Sequence, residues 1–586
     1  MALDDPSIYD IVIRNGTIVD GLGGAPVRGD VALRGGHIER VGTVSGHGRE
    51  EINAEGLLVT PGFIDIHTHF DAQAIWETRM SPSSEHGVTT VVVGNCGVGF
   101  APCRKQDREG LIALMEGVED IPDVVMAEGL TWEWETYPEF LDAIARRPHD
   151  VNIASYLPHA PLRLYVMGER AGVREVATAE DRAEMARLAK EAMSAGAIGF
   201  ATSRSLFHRS TTGEPICTQD ATEAELLAIA EALGEPGAGL LQVAVDFGGE
   251  RALDEEFGIL ERVVTKSGHP MTMPIAEIHS SPNLWREILA KVVSANRNGA
   301  RITAQALPRG IGVTYGLDLS AHPFFLRPSY REIADLPIPQ RVAAMREPER
   351  RARILAEENI EFHLPIAATI DKFDGMYEIG NPIDYEPVPE SSIAARAAAL
   401  GVSPDALAYD ILVAHGGEPA IYMPFANYAN GSLDAAYEMF NHPDTVPGLG
   451  DGGAHYAVIC DASYTTFLLT HWVRDRVRGE RFSLPEVIRA LSHDAARVVG
   501  LNDRGVIAPG YAADLNLIDF DGLRLPSPRV AHDLPKGGRR LRQRAEGYVA
   551  TIVNGTVTYR NGVPTGKLPG TLVRGRQDAP VAETVA

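Results

Sequence analysis

Eight short apolar runs, alternating with stretches of helical pattern, constrain this chain more than any other feature. They are Phe63–His69, Thr89–Cys96, Val151–Leu157, Ala197–Thr202, Gly239–Val245, Met271–Ile278, Arg301–Ala306 and Thr445–Asp451. Runs of this length, rich in β-branched residues and spaced by helices, predict a parallel sheet covered on both faces. Thr178–Ala195, rich in Ala and Glu with Gly196 just beyond, is the clearest helix. Eight such units predict an α/β fold, a (β/α)8 barrel of the TIM type, with its active site at the C-terminal ends of the strands. Residues 307–444 are too many for an ordinary loop, so a lid or insertion is expected before the last strand. Helices are expected in it over Gln340–Glu358 and about Ser392–Leu400.

The two ends of the chain follow a different grammar. Tyr9–Ile13 runs into Arg14-Asn15-Gly16 and then Thr17–Val19, and Asp30–Leu33 runs into Arg34-Gly35-Gly36 and then His37–Val41. Near the other end, Ala550–Val553 meets Asn554-Gly555 and then Thr556–Tyr559, after an apolar alternation over Gly510–Ile518. Asn-Gly and Gly-Gly supply the positive φ angles of tight hairpins. Neither end has enough strands to be stable alone. Residues 1–60 and 506–586 are therefore expected to share one small β-sandwich, with residues 61–505 forming the barrel and a polar tail following Gly575.

Chemistry concentrates where strands would end. Thr60-Pro61-Gly62 turns into the apolar run Phe63–Ile66, and His67-Thr68-His69 follows directly. Residues two apart on a strand share a face, so His67 and His69 can converge on one ion, and imidazole suits zinc and similar divalent metals. The second run ends in Gly94-Asn95-Cys96-Gly97. Cys96 there is a third candidate ligand, the alternative being an inert buried thiol. The eighth ends in Gly450-Asp451-Gly452-Gly453. Asp451 can bind the metal or carry a proton for its water, the alternative being a turn residue. His159 and Arg163 follow the third run, Arg204 the fourth, His279 the sixth and His455 the eighth; these are the candidate substrate contacts, arginine suiting a carboxylate.

Bulk properties narrow the partners. A net charge of −25 argues against nucleic acid or an anionic membrane, and four scattered cysteines make no disulfide framework. The start, MALDDPSIYD, has no signal-peptide pattern, and no apolar run of about 18 residues suggests a membrane span. A cytoplasmic homo-oligomer acting on a small molecule is expected.

The strand-like N-terminus, Pro61–His69, the late Asp451 and Gly505–Asp514 together resemble the amidohydrolase superfamily. Gly87-Val88-Thr89-Thr90 with Gly94–Gly97, His159–Arg163 with Val166-Met167-Gly168, and Gly196–Phe200 are similar to its N-acyl-D-amino-acid deacylase branch. The resemblance implies a metal-dependent amidohydrolase that cleaves the C–N bond of an N-acyl D-amino acid or related linear amide through a metal-activated water. It also implies His67, His69, Cys96 and Asp451 as ligands, with Asp451 moving the proton. The chain departs from that branch after the fifth strand, Leu241–Asp246, which has no histidine, and after the sixth, where His279 falls late with no lysine beyond it. One tightly bound Zn2+ or other divalent ion is accordingly expected. A hydrolase of a cyclic amide, urea or lactone is the second reading, and a binding protein impaired in catalysis the third.

Overall fold

The computed structural model describes residues 8–247, 252–360 and 365–581. Parallel strands appear in each of the eight apolar runs: β1 (Phe63–Asp65), β2 (Val88–Val93), β3 (Asn152–Ser155, continued by Leu157–Pro158), β4 (Gly199–Ser203), β5 (Leu240–Ala244), β6 (Met271–Ile275), β7 (Ile302–Ala306) and β8 (Thr445–Pro447). Each pairs in parallel with the next from β1 through β8. Beyond the named strands, Thr68 bridges Gly452 in parallel, and the His69 N–H donates to the Gly452 carbonyl at 2.7 Å. The end of β1 thus lies beside the loop that leaves β8.

Helices separate the strands for local reasons that the residues make plain. Thr178 caps Ala179–Ala195 reciprocally with Asp181, and Gly196 ends that helix at φ 111°. Between β5 and β6, Leu253–Ser267 buries Phe257, Leu260, Val263 and Val264 on one face and stops at Gly268, φ 70°. The helix expected over Gln340–Glu358 is two helices, Ile338–Met345 and Pro348–Ala356. Pro348 has no N–H to continue the ladder and pushes Glu347 into an extended conformation, ψ 123°.

The insertion brings a sheet of its own. Ile311–Tyr315 and Tyr377–Glu378 pair antiparallel with Ile421–Ala426, and Val313, Tyr315, Ile354, Tyr409 and Ile421 belong to a separate apolar core. Among the described residues, no single helix is long and apolar enough to cross a membrane.

The chain ends meet in one nine-stranded sheet, joined where Leu515–Ile518 runs antiparallel to Leu58–Pro61. Hydrogen bonding connects all nine strands, where the sequence suggested two separate layers. Ile11, Ile13, Val31, Leu33, Val59, Leu515, Leu517, Ile552 and Val557 fall in one buried cluster drawn from both ends. The Asn554-Gly555 and Gly35-Gly36 hairpins form, with φ of 46° and 71°, and 56° and 82°. Arg14-Asn15-Gly16 does not turn the chain. Ile8–Ile18 is one strand whose register shifts between Ile13 and Gly16. Asn15 takes φ 62° there, and a Cβ on Gly16 would meet the Val59 side chain at 2.4 Å. Residues 529–542 leave the sheet as a separate hairpin, and Leu541 N–H donates to the Tyr456 carbonyl at 2.6 Å near the end of β8. Gln577, in the segment read as a tail, bonds Gly500 and Asn502.

Because that cluster draws on both ends, Ile552→Ala should cost about 2–5 kcal/mol in denaturant unfolding. It should also speed amide exchange in Ile8–Ile18. Protection of those amides at wild-type levels would mean that the ends are stable independently.

Candidate metal centre

His67 and His69 leave β1 with their rings 5.5 Å apart between centroids, both about 1 % exposed. Thr68 between them faces the other way, its hydroxyl donating to the Val92 carbonyl. That alternation is the strand period carried past its last ladder bond. Cys96 follows β2 at φ 54° between Gly94 and Gly97. A Cβ on Gly94 would meet the Tyr156 carbonyl at 2.5 Å, so the backbone passes too close for any other residue. The Cys96 N–H donates to Gln242 Oε1 at 2.7 Å, which fixes the turn against β5.

Asp451 sits at φ 45°, and its side chain, 23 % exposed, is more open than either histidine. A Cβ on Gly453 would meet Phe70 Cδ1 at 2.7 Å and the His69 carbonyl carbon at 2.8 Å. The glycines that follow Asp451 therefore let this loop press against the two histidines.

The donor atoms converge. Cys96 Sγ lies 3.3 Å from His67 Nε2, and Asp451 Oδ1 lies 3.5 Å from His67 Nε2 and 3.7 Å from His69 Nε2. Atoms of His67, His69 and Cys96 lie within 4.8 Å of one another. A tetrahedral ion with bonds of about 2.0–2.3 Å has edges of about 3.3–3.7 Å, so these spacings fit a zinc-like ion. His67 Nδ1 lies 2.7 Å from Gln305 Oε1, an acceptor that places the proton on Nδ1 and leaves the Nε2 lone pair facing Cys96 and Asp451.

Burial sets the protonation states. It lowers His67 to about 4, and it lowers His69 well below the usual value with help from His67 and other nearby histidines. Both imidazoles are thus neutral donors. Burial pushes the Cys96 thiol well up, and the carboxylates of Glu119 and Asp451 push it further. A divalent cation reverses that balance, because a coordinating thiol is deprotonated.

The expected substrate contacts divide. His159 and Arg163 are buried, and their described partners are not the histidine pair. His159 bonds Thr202 Oγ1 at 2.8 Å and Glu225 Oε1 at 3.0 Å, and Arg163 pairs with the same Glu225. Arg204 pairs with Glu256 and donates to the Ala221 carbonyl. All three fill structural networks, since a buried carboxylate needs a partner more than a loop needs an arginine. His279 is exposed beyond the end of β6 and makes none of the described hydrogen bonds of the centre. His455 is the one that lies close, its Nε2 3.6 Å from Glu119 Oε2.

Glu119 is the residue that sequence reading missed. It ends the helix Arg108–Glu119, is 2 % exposed, and brings Oε1 to 3.4 Å from His69 Nδ1. Burial raises its carboxyl well above the usual range, and Asp451 and Asp71 add to the rise. A signal existed: Leu111, Met115 and Glu119 fall at i, i+4 and i+8 of the buried face, which puts a carboxylate in an apolar stripe. Gln242 and Gln305, each holding a ligand in place, were equally silent in the sequence.

The model of the family described as "Amidohydrolase family" matches residues 50–559. D-aminoacylase of Alcaligenes xylosoxydans xylosoxydans is 35% identical over 203 residues, 34% of this chain and 39% of that protein. N-acyl-D-aspartate deacylase of the same organism is 36% identical over 202 residues, 34% of this chain and 38% of that protein. The matched segment therefore spans about two fifths of these relatives' length. In fold, the chain is similar to a crystal structure of D-aminoacylase, with TM-score 0.63 and 22% identity over 97% of this chain and 100% of that one. It is likewise similar to N-acyl-D-glutamate deacylase of Bordetella bronchiseptica, solved with zinc and a phosphonate inhibitor. There the TM-score is 0.64 and the identity 23%, over 97% of this chain and 100% of that one.

Arg163→Ala should destabilise the protein by about 3–5 kcal/mol, because Glu225 is left buried beside a neutral His159. Its KM should stay within about threefold of wild type. Denaturant unfolding with parallel kinetics measures both, and a large rise in KM at unchanged stability would return Arg163 to the substrate.

Proposed function

The chain belongs to the amidohydrolase family, and on that premise we propose that it is a metal-dependent hydrolase of the C–N bond in an N-acyl D-amino acid or related linear amide. The convergence of His67, His69, Cys96 and Asp451 at the mouth of the parallel strands carries this reading. We read β1 to β8 as one closed (β/α)8 barrel, supported by the sequential parallel pairing and by the Thr68–Gly452 bridge. Residues 307–444 are its insertion, and the shared sheet of the two ends is a small second domain. The names of the relatives, D-aminoacylase and N-acyl-D-aspartate deacylase, support the linear amide over a cyclic one.

His67, His69, Cys96 and Asp451 would hold the ion, which when bound polarises a carbonyl and acidifies water. The protein's own groups do the rest. His67 and His69, kept neutral by burial, offer lone pairs and compete for no proton. Asp451, whose Oδ1 faces both imidazoles from the more open side, takes the proton of the attacking water on its other carboxylate oxygen. It then returns that proton to the leaving nitrogen as the C–N bond breaks. Burial raises its carboxyl above the usual range. His208, bonded to Ser203 Oγ at 2.8 Å, and His455 are imidazoles near the pair that burial keeps neutral, and a substrate's hydrogen bonds are the role we assign them.

Metal analysis after dialysis, with turnover on paired N-acyl-D- and N-acyl-L-amino acids, tests the reading. We expect one tightly held divalent ion, zinc, and preference for the D series. A metal-free protein inert on every amide after zinc is added back would leave the binding-protein reading.

Asp451→Asn should lower kcat by about 10²–10⁴-fold, since an amide accepts no proton. His67→Ala should lose turnover through loss of metal. Metal content measured beside rate separates the two variants: the asparagine variant should retain the ion better than the alanine variant. Near-normal turnover of Asp451→Asn would remove this carboxylate from the mechanism.

A further inference from the structure

We propose that Glu119 is the positioning residue of His69: it accepts the Nδ1–H, aims Nε2 at the ion, and makes His69 the stronger of the two imidazole donors. The proposal rests on the reading of His67, His69, Cys96 and Asp451 as a metal centre.

The two facing atoms point to it. His69 Nδ1 and Glu119 Oε1 are both buried and lie 3.4 Å apart, and neither makes a hydrogen bond in good geometry within the described structure. A buried donor and a buried acceptor left unpaired are both costly, and pairing them with each other removes both costs. A shift of a few tenths of an ångström satisfies both at once. His69 then has one nitrogen left, Nε2, which faces Asp451 Oδ1 at 3.7 Å.

Glu119 has no arginine partner among the described residues, unlike three buried carboxylates elsewhere in the strands' surroundings. Glu225 pairs with Arg163, Glu256 with Arg204, and Asp461 with Arg309. The ion-pair contacts of Glu119 in the described structure are His69 and His455 alone. An arginine would neutralise this carboxylate and withdraw it from the imidazole. Two histidines bring no such cation, so the carboxyl stays turned to the ring of His69. His455 further fixes it from outside, its backbone N–H donating to the Glu119 carbonyl.

The partner of His67 is of another kind. Gln305 is a neutral amide at 2.7 Å, so it orients the ring without adding charge. A carboxylate behind a ligating histidine raises the basicity of the imidazole, and loss of such a partner commonly weakens metal affinity by about 10–100-fold. The two histidines of one strand are thus unequal ligands.

The test uses metal-free full-length protein and Glu119→Gln, with Glu119→Ala beside it. Zn2+ affinity is read by competition with a chromophoric chelator, the Co2+ derivative by its visible absorption, and folding by the unfolding midpoint of the metal-free form. Glu119→Gln should bind Zn2+ about 10–100-fold more weakly than wild type and change the cobalt spectrum, with a midpoint no lower than wild type. Zn2+ affinity within twofold of wild type and an unchanged cobalt spectrum in Glu119→Gln would overturn the proposal, whatever Glu119→Ala does. A wild-type protein without Zn2+ affinity would instead remove the metal centre itself, and the proposal with it.

Discussion

The contact between the end of β1 and the loop after β8 is the constraint on which the centre depends. His69 N–H binds the Gly452 carbonyl, and Thr68 bridges Gly452, so residues almost 400 positions apart are held in one ladder. Side chains at strand ends are aimed by the backbone beneath them. With this contact in place, Asp451 faces both histidines; without it, a loop carrying four glycines among Gly448–Gly453 would have no reason to hold a carboxylate there. The positive φ of Asp451 and the close approach of Gly453 to Phe70 are the local cost of that aim.

Much of this was legible in the residues. Each of the eight parallel strands begins within two residues of its apolar run, because a strand buried on both faces has to be apolar throughout, while four of them end three or four residues before the run does. His67 and His69 were readable from the strand period, and Cys96 and Asp451 from polar residues set among glycines after apolar runs. Asn15 misled, since Asn-Gly suits a bulge as well as a hairpin and only the neighbouring Val59 decides between them. Arg163 and Arg204 misled for another reason. Their carboxylate partners, Glu225 and Glu256, lie about 50 to 60 residues away, and pairing at that separation leaves no local trace.

Charge around the centre follows from those pairings. Arginines near the strand ends are bound to buried carboxylates: Arg163 to Glu225, Arg204 to Glu256 and Arg309 to Asp461. They brace the scaffold and their charge is compensated locally. Near the histidines, by contrast, Glu119 and Asp451 face imidazoles that burial keeps neutral. The centre is therefore electrostatically short of positive charge, which a divalent cation supplies without any change in the surrounding fold.

The shared sheet has a consequence for how the chain is made. Leu58–Pro61 leaves the ribosome long before its neighbour Leu515–Ile518 exists. At synthesis rates of about 5–20 residues per second, that edge waits on the order of tens of seconds for its partner. During that wait the N-terminal strands are an open edge on a nascent chain, the arrangement that invites pairing with the wrong neighbour. Pro61, which has no N–H to offer, closes that edge on one side, and the shortness of the strand limits the rest. Completion of the small domain is thereby tied to about the last eighth of the chain, so a truncated product lacks the sheet on which the N-terminal strands depend.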